Sequence, residues 1–293
     1  MDLSCAAVPA ACALAFPFAT LALKRAMDGG RHTWSVMLLS NGAVALVFLP
    51  WLFAGGKGAA WDRSWQPLLA GAFFLAGQAA AFKSFRGDLS IAIPVQGTKV
   101  LMVAFMAMAA LGQEIGPRTW AAAALSVAAI RILEQPEKRS GDRKGIIGTL
   151  FTAGIAAFAF AAFDVAVQKW SPEWGGNRFG AWAFAAQAAL SLFLLPLPGL
   201  RPLAFPRGFR GWAAAGALGM AGITLGLVMT IGKCSDATQV NLLFNSRCVW
   251  GVLAVWLTGK WFRAPEAGSG RHTLALRLGG AGLMMGAIAL ALR

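Results

Sequence analysis

Apolar stretches about 20 residues long recur from one end of this chain to the other, each as long as a helix must be to cross a hydrocarbon core about 30 Å thick. The charge is confined to the short segments between them. Mean hydropathy is +0.62, 58% of the residues are hydrophobic and only 13% are charged, which excludes an ordinary water-soluble domain. Windows bounded by charge, Gly or Pro predict ten transmembrane helices, at 4–23, 34–54, 66–84, 89–112, 117–133, 146–168, 179–198, 211–232, 237–259 and 274–292. The expected fold is therefore an all-α integral membrane protein. Asp2 precedes the first run and no Lys or Arg does, the reverse of a secretory signal, so the first span is read as retained.

The longest polar connection, Glu134 to Lys144, divides the ten spans into five and five. Three regions follow: a first five-helix repeat at 1–134, a polar linker at 135–145 and a second five-helix repeat at 146–293. The halves can be overlaid. A shift of 148 residues places Trp34 on Trp182, Gly71 on Gly219, Asp88 on Asp236, Thr98 on Ser246 and Lys99 on Arg247. A shift of 144 places Phe16 on Phe160 and Arg25 on Lys169. With an odd number of spans in each half, the second enters the membrane upside down relative to the first. This is an inverted repeat, an architecture of alternating-access carriers that bind substrate near the midplane between repeats.

The net charge is +14. In a soluble protein this would suggest nucleic acid, but here the cations lie between apolar runs and no basic, aromatic groove motif accompanies them. Membrane topology and anionic headgroups account for them. Loops after the odd-numbered spans carry 17 Lys/Arg against 7 on the other face, which places the odd loops in the cytoplasm and both termini outside. Cys5, Cys12, Cys234 and Cys248 lack CxxC spacing and read as small buried hydrophobes, with neither a disulfide framework nor a zinc site expected. Nine tryptophans, among them Trp65, Trp170, Trp174 and Trp212, fall near span ends as interfacial anchors. Gly282 and Gly286 form a GxxxG in span 10, a close-packing motif with a homodimer face as the alternative.

Lys99 and Arg247 each stand about eleven residues into a span, at mid-membrane depth, where a charge costs about 2.5–3.5 kcal/mol and needs compensation. One reading holds each cation with a buried acid or carbonyls for structure alone. The other places both in a water-filled cavity, binding an anionic substrate group from symmetry-related walls. Gln96 and Thr98 beside Lys99, and Asn241, Asn245 and Ser246 beside Arg247, would supply hydrogen bonds. Pro94 either kinks span 4 or frees the Ser90 carbonyl. Asn41, Gln78 and Gln187 read as interhelical hydrogen bonds before ligand contacts. Asp164, the intramembrane acid of span 6, is a candidate partner for either cation, a coupling site, or an interfacial residue. Trp250 and Trp256 read as packing residues before substrate stackers. His32 and His272 fall in loops, and HExxH, Walker and GxSxG motifs are absent. No enzymatic activity, cofactor or metal is expected.

The segment AIPVQGTKVLMVAFMAMAALGQEIGPRTW, with a fourth span closing on Leu111-Gly112-Gln113-Glu114 before a Gly-Pro turn, resembles the EamA-type members of the drug/metabolite transporter superfamily. The second half departs, with Thr258-Gly259-Lys260 where Gly112-Gln113-Glu114 stands in the first. The resemblance implies a secondary carrier with a cavity lined by spans 1, 3, 4, 6, 8 and 9. Lys99 and Arg247 are similar in placement to the phosphate-binding cations of sugar-phosphate and nucleotide-sugar carriers in that superfamily. It also implies cytoplasmic termini, against the charge bias. The expectation is a multi-pass carrier of the bacterial inner membrane for a small organic anion, phosphorylated or carboxylated. An exporter of neutral or amphipathic metabolites, such as amino acids or drugs, is the alternative, with the two cations structural. Expected partners are the substrate and the lipid bilayer, with no nucleic acid.

Overall fold

A computed structural model describes residues 3–27, 33–53, 61–84, 95–133, 143–175, 177–193 and 207–262, with scattered residues of 279–290. Of this structure 91% is helical, and no strand occurs among the described residues. The helices are α1 (Leu3–Met27), α2 (Thr33–Phe48), α3 (Pro50–Phe53), α4 (Trp65–Ser84), α5 (Lys99–Leu111), α6 (Pro117–Leu133), α7 (Arg143–Trp170), α8 (Asn177–Leu192), α9 (Arg207–Cys234), α10 (Ala237–Phe244) and α11 (Arg247–Phe262). Segments within α1, α7 and α9, namely Cys5–Met27, Ile147–Trp170 and Gly208–Cys234, are long and apolar enough to cross a membrane. The predicted linker and most of predicted span 10 lie outside the described residues.

Apolar residues are distributed in the sense that lipid requires. On α7, Ile147, Leu150, Phe151, Ile155 and Phe158 recur at helical spacing and are exposed, Phe151 to 69%, while Ala153, Ala156 and Ala157 face inward and are buried. Large apolar side chains outside and small ones inside would be unfavourable in water, whereas in hydrocarbon the outer face costs nothing and the inner face packs backbones closely. Phe105, Leu218 and Leu257 continue the exposed apolar surface on α5, α9 and α11.

Helices of the first half pack mainly on helices of the second. The closest neighbours are α1 with α9 and α4 with α7, followed by α4 with α8 and α2 with α9. Glycine makes these approaches possible. A Cβ on Gly71 of α4 would fall on the Ala183 carbonyl and 2.9 Å from the Gln187 amide of α8, while one on Gly226 of α9 would lie 2.8 Å from Cys12 Sγ of α1. Between them sits an aromatic core in which Phe74 meets Phe163 at 4.9 Å and Phe184 at 5.0 Å. Among the described residues nothing lies within 4 Å of a Cβ built on Gly282 or Gly286, so the expected close packing at that GxxxG is not seen there.

Three expectations are corrected. Cys5 and Cys234 form a disulfide between the start of α1 and the end of α9, with Cα atoms 6.3 Å apart. Only the buried Cys12 behaves as the small hydrophobe expected of all four, and the Cys248 side chain lies outside the described set. The reason for the miss is that helix packing, not sequence spacing, brings positions 229 residues apart into bonding distance. Span 9 is not one helix: α10 ends at Phe244, and Asn245 and Ser246 form a turn before α11 begins at Arg247. Trp174, expected as an anchor, is 2% exposed and donates its indole N–H to Gln66 Oε1 at 2.8 Å.

Candidate functional site

Lys99 and Arg247 occupy equivalent places in the backbone. A helical turn at 95–97 is interrupted at Thr98, and α5 starts with Lys99; α10 is interrupted at Ser246, and α11 starts with Arg247. The hydrogen bonds match as well. The Thr98 carbonyl accepts from the amides of Leu101 at 3.0 Å and Met102 at 3.3 Å, and the Ser246 carbonyl from those of Val249 at 2.9 Å and Trp250 at 3.3 Å. Each cation therefore stands at the first residue of a helix, just after a hitch in the helical backbone and at the positive end of the dipole of the helix that follows. Charge and backbone together make both places favourable to an anion.

Lys99 Nζ lies 2.6 Å from Asp164 Oδ2, with the two side chains 16% and 8% exposed. The same oxygen accepts from Asn241 Nδ2 at 2.6 Å, and that amide also donates to the Ala237 carbonyl at 2.8 Å. Of the roles open to Asp164, the ion pair with Lys99 is the one formed. The ammonium also faces the Phe160 ring, 5.8 Å from its centroid. Arg247 lies over Phe16 at 4.8 Å and Phe244 at 4.4 Å. Phe16 and Phe160 are the residues that the 144-residue shift superposes, so each cation meets an equivalent ring on the helix opening the other half.

The other expected site residues divide. Asn245 and Ser246 are buried at the α10–α11 turn, and Asn245 Nδ2 has no hydrogen-bond partner. An amide donor of that kind beside Arg247 suits an anion. Gln96 turns away from Lys99 and donates to Ser84 Oγ at 3.2 Å, and the Thr98 hydroxyl closes on the Val95 carbonyl at 2.6 Å. Asn41 Nδ2 donates to Ser191 Oγ at 2.7 Å, the expected interhelical bond. Gln78 and Gln187 are buried, and neither Gln187 polar atom has a partner. Trp250 is 36% exposed, as a packing residue at the outer surface; the Trp256 side chain and Pro94 lie outside the described residues.

Sequence reasoning missed Gln168. Its Nε2 donates to Gln113 Oε1 at 3.0 Å and to the Ser235 carbonyl at 2.7 Å, while its Oε1 accepts from the Ala237 amide at 2.9 Å. This closes one end of the bundle, where a polar pocket of about 70 Å3 is lined by Gln113, Glu114, Thr119, Asp236 and Thr238. Asp236 caps α10, its carboxylate accepting from the Gln239 amide at 2.9 Å. Burial raises its pKa above the ordinary carboxylate value, and hydrogen bonds from Gln239 and Thr238 partly offset that. Among the described residues no group of three His, Cys, Asp or Glu is placed to hold a metal ion.

The chain is thus an all-helical protein with an apolar exterior and a buried ionic centre. No family model matches it, and no curated protein does. It is similar to a crystal structure described only as that of a protein, at 20% identity and a TM-score of 0.75, over 99% of this chain and 97% of the other. At that identity the likeness establishes a shared fold.

Proposed function

We propose that the protein is a secondary active transporter that moves a small organic anion by alternating access. The observation that carries this reading is the pair of helix starts at Lys99 and Arg247. A carrier core needs fixed positive potential at mid-depth without a strand or soluble domain to provide it, and broken helices do so. Two cations and one carboxylate, with the buried and unpartnered Asn245 amide, favour a carboxylate or phosphate over a cation. Because Asp164 already presents a carboxylate to Lys99, a substrate anion competes with it there.

The architecture proposed is ten spans in two inverted five-helix repeats, of the EamA type. Packing of α1 on α9 mirrors that of α7 on α4, and α2 on α9 mirrors α8 on α4, as a two-fold axis in the membrane plane requires. The proposed location is the bacterial inner membrane with both termini outside. Besides the bias of the loop cations, the Cys5–Cys234 disulfide supports this, since it ties the start of α1 to the end of α9 and such bonds persist on the oxidising face.

A second reading, export of neutral or amphipathic metabolites such as amino acids, is favoured by the neutralisation of Lys99 and by the rings around Arg247. Thermal stability of the purified protein across phosphorylated metabolites, carboxylates, amino acids and cationic drugs separates the two. The anion reading expects stabilisation by one anion class, lost in Lys99→Gln and Arg247→Gln. Stabilisation of all three proteins by neutral compounds would replace it with the exporter reading.

A further inference from the structure

The polar contacts of α7 form two tiers one helical turn apart. Asp164 and Gln168 are four residues apart and share a face of α7, and their partners Asn241 and Ala237 are four residues apart on α10. Each tier also reaches the first half, Asp164 to Lys99 and Gln168 to Gln113. The tiers are joined on α10 itself, because the Asn241 amide bonded to Asp164 also holds the Ala237 carbonyl. The outer tier grips a strained turn. Ser235, whose carbonyl Gln168 holds, has φ +51°, a left-handed conformation uncommon for a residue with a side chain. Its neighbour Cys234 is anchored to α1 by the disulfide.

We infer that Gln168 is the positioning residue of a gate, and that the Asp164–Asn241 contact couples this gate to occupancy of the ionic centre. The inference rests on the transporter reading. A substrate carboxylate that takes Asp164's place at Lys99 frees Asp164, and Asn241 loses its acceptor. With the inner tier released, Gln168 supplies the remaining side-chain hydrogen bond from α7 to α10 among the described residues, and the strained Ser235 turn favours letting go. The mouth lined by Gln113, Glu114 and Asp236 then opens above the bound substrate. Two cooperating tiers meet the requirement that a ligand shift a conformational equilibrium only through contacts differing between the two states.

Amide hydrogen exchange on the full-length protein in lipid nanodiscs tests this without knowledge of the substrate. Gln168→Ala is expected to speed exchange of the Ala237–Asn241 amides about tenfold, the scale of a lost hydrogen bond or two. Gln168→Glu keeps the acceptor for Ala237 and should fall between. The inner tier removed without leaving a charge, Lys99→Met with Asp164→Leu, takes away the acceptor of Asn241 and should speed the same amides although Gln168 is intact. Wild-type exchange at those amides in the inner-tier variant would overturn the coupling. An equal rise in α2 would mean general loosening and would overturn it too. Transport assays in liposomes report separately: a carrier that moves anions with unchanged α10 exchange refutes the gate alone, and absence of anion transport refutes the transporter reading on which it rests.

Discussion

A buried ammonium without a partner is costly, and Asp164, 2.6 Å from Lys99, offsets that cost. Removing one member leaves the other charge buried, so Asp164→Asn or Lys99→Gln alone should destabilise by about 3–5 kcal/mol in denaturation from detergent micelles, while the double variant recovers most of the loss. At Asp236 the sign is the reverse of a paired carboxylate. Its folded pKa is raised by burial, so the unfolded chain ionises first and stability falls as pH climbs from the unfolded pKa, 3.8, through the folded one. Asp236→Asn keeps a capping side chain and should show no such fall in the melting temperature as the pH is raised above the unfolded pKa. That Lys99 needs a compensating partner was legible in the sequence because a charge inside a 20-residue apolar run is conspicuous. Gln168 was not, since an amide beside Lys169 and Trp170 looks like an ordinary span end until Gln113 and the Ser235 turn are brought against it.

Helix starts and stops show where elements were legible. Pro117 opens α6, and Gly112, with φ +64°, closes α5 by donating to the Met108 carbonyl while the Gln113 amide reaches Ala107; both signals are local and readable. The break at Asn245 and Ser246 contains neither Gly nor Pro. Those side chains are merely weak helix formers, and they carry no local stop signal that reading in order would recognise. Close packing between elements gives a sharper test. In Gly71→Ala the new methyl meets backbone atoms of α8, which cannot rotate away as a side chain would. Thermal unfolding should register a loss of about 1–3 kcal/mol. Gly222→Ala, with open space around its Cβ on α9, should instead gain up to about 1 kcal/mol from helix propensity.

For the molecule as a whole, the Cys5–Cys234 bond joins the start of the chain to a residue in its last quarter. Reductant should lower the melting temperature by the equivalent of about 2–4 kcal/mol and should leave a Cys5→Ala, Cys234→Ala variant unaffected. A reporter fused to the N-terminus should read as external under the proposed topology, and a cytoplasmic reading would overturn the orientation. The sequence by itself determined the helical class and the presence of helices long and apolar enough to cross a membrane, because hydropathy and span length are properties of residues taken in order. Only the tertiary structure decided which acid neutralises Lys99, which rings face the cations, which cysteines bond and where span 9 breaks. Those outcomes depend on the distance between helices far apart in the chain, and that distance is set by where glycine and alanine let backbones approach.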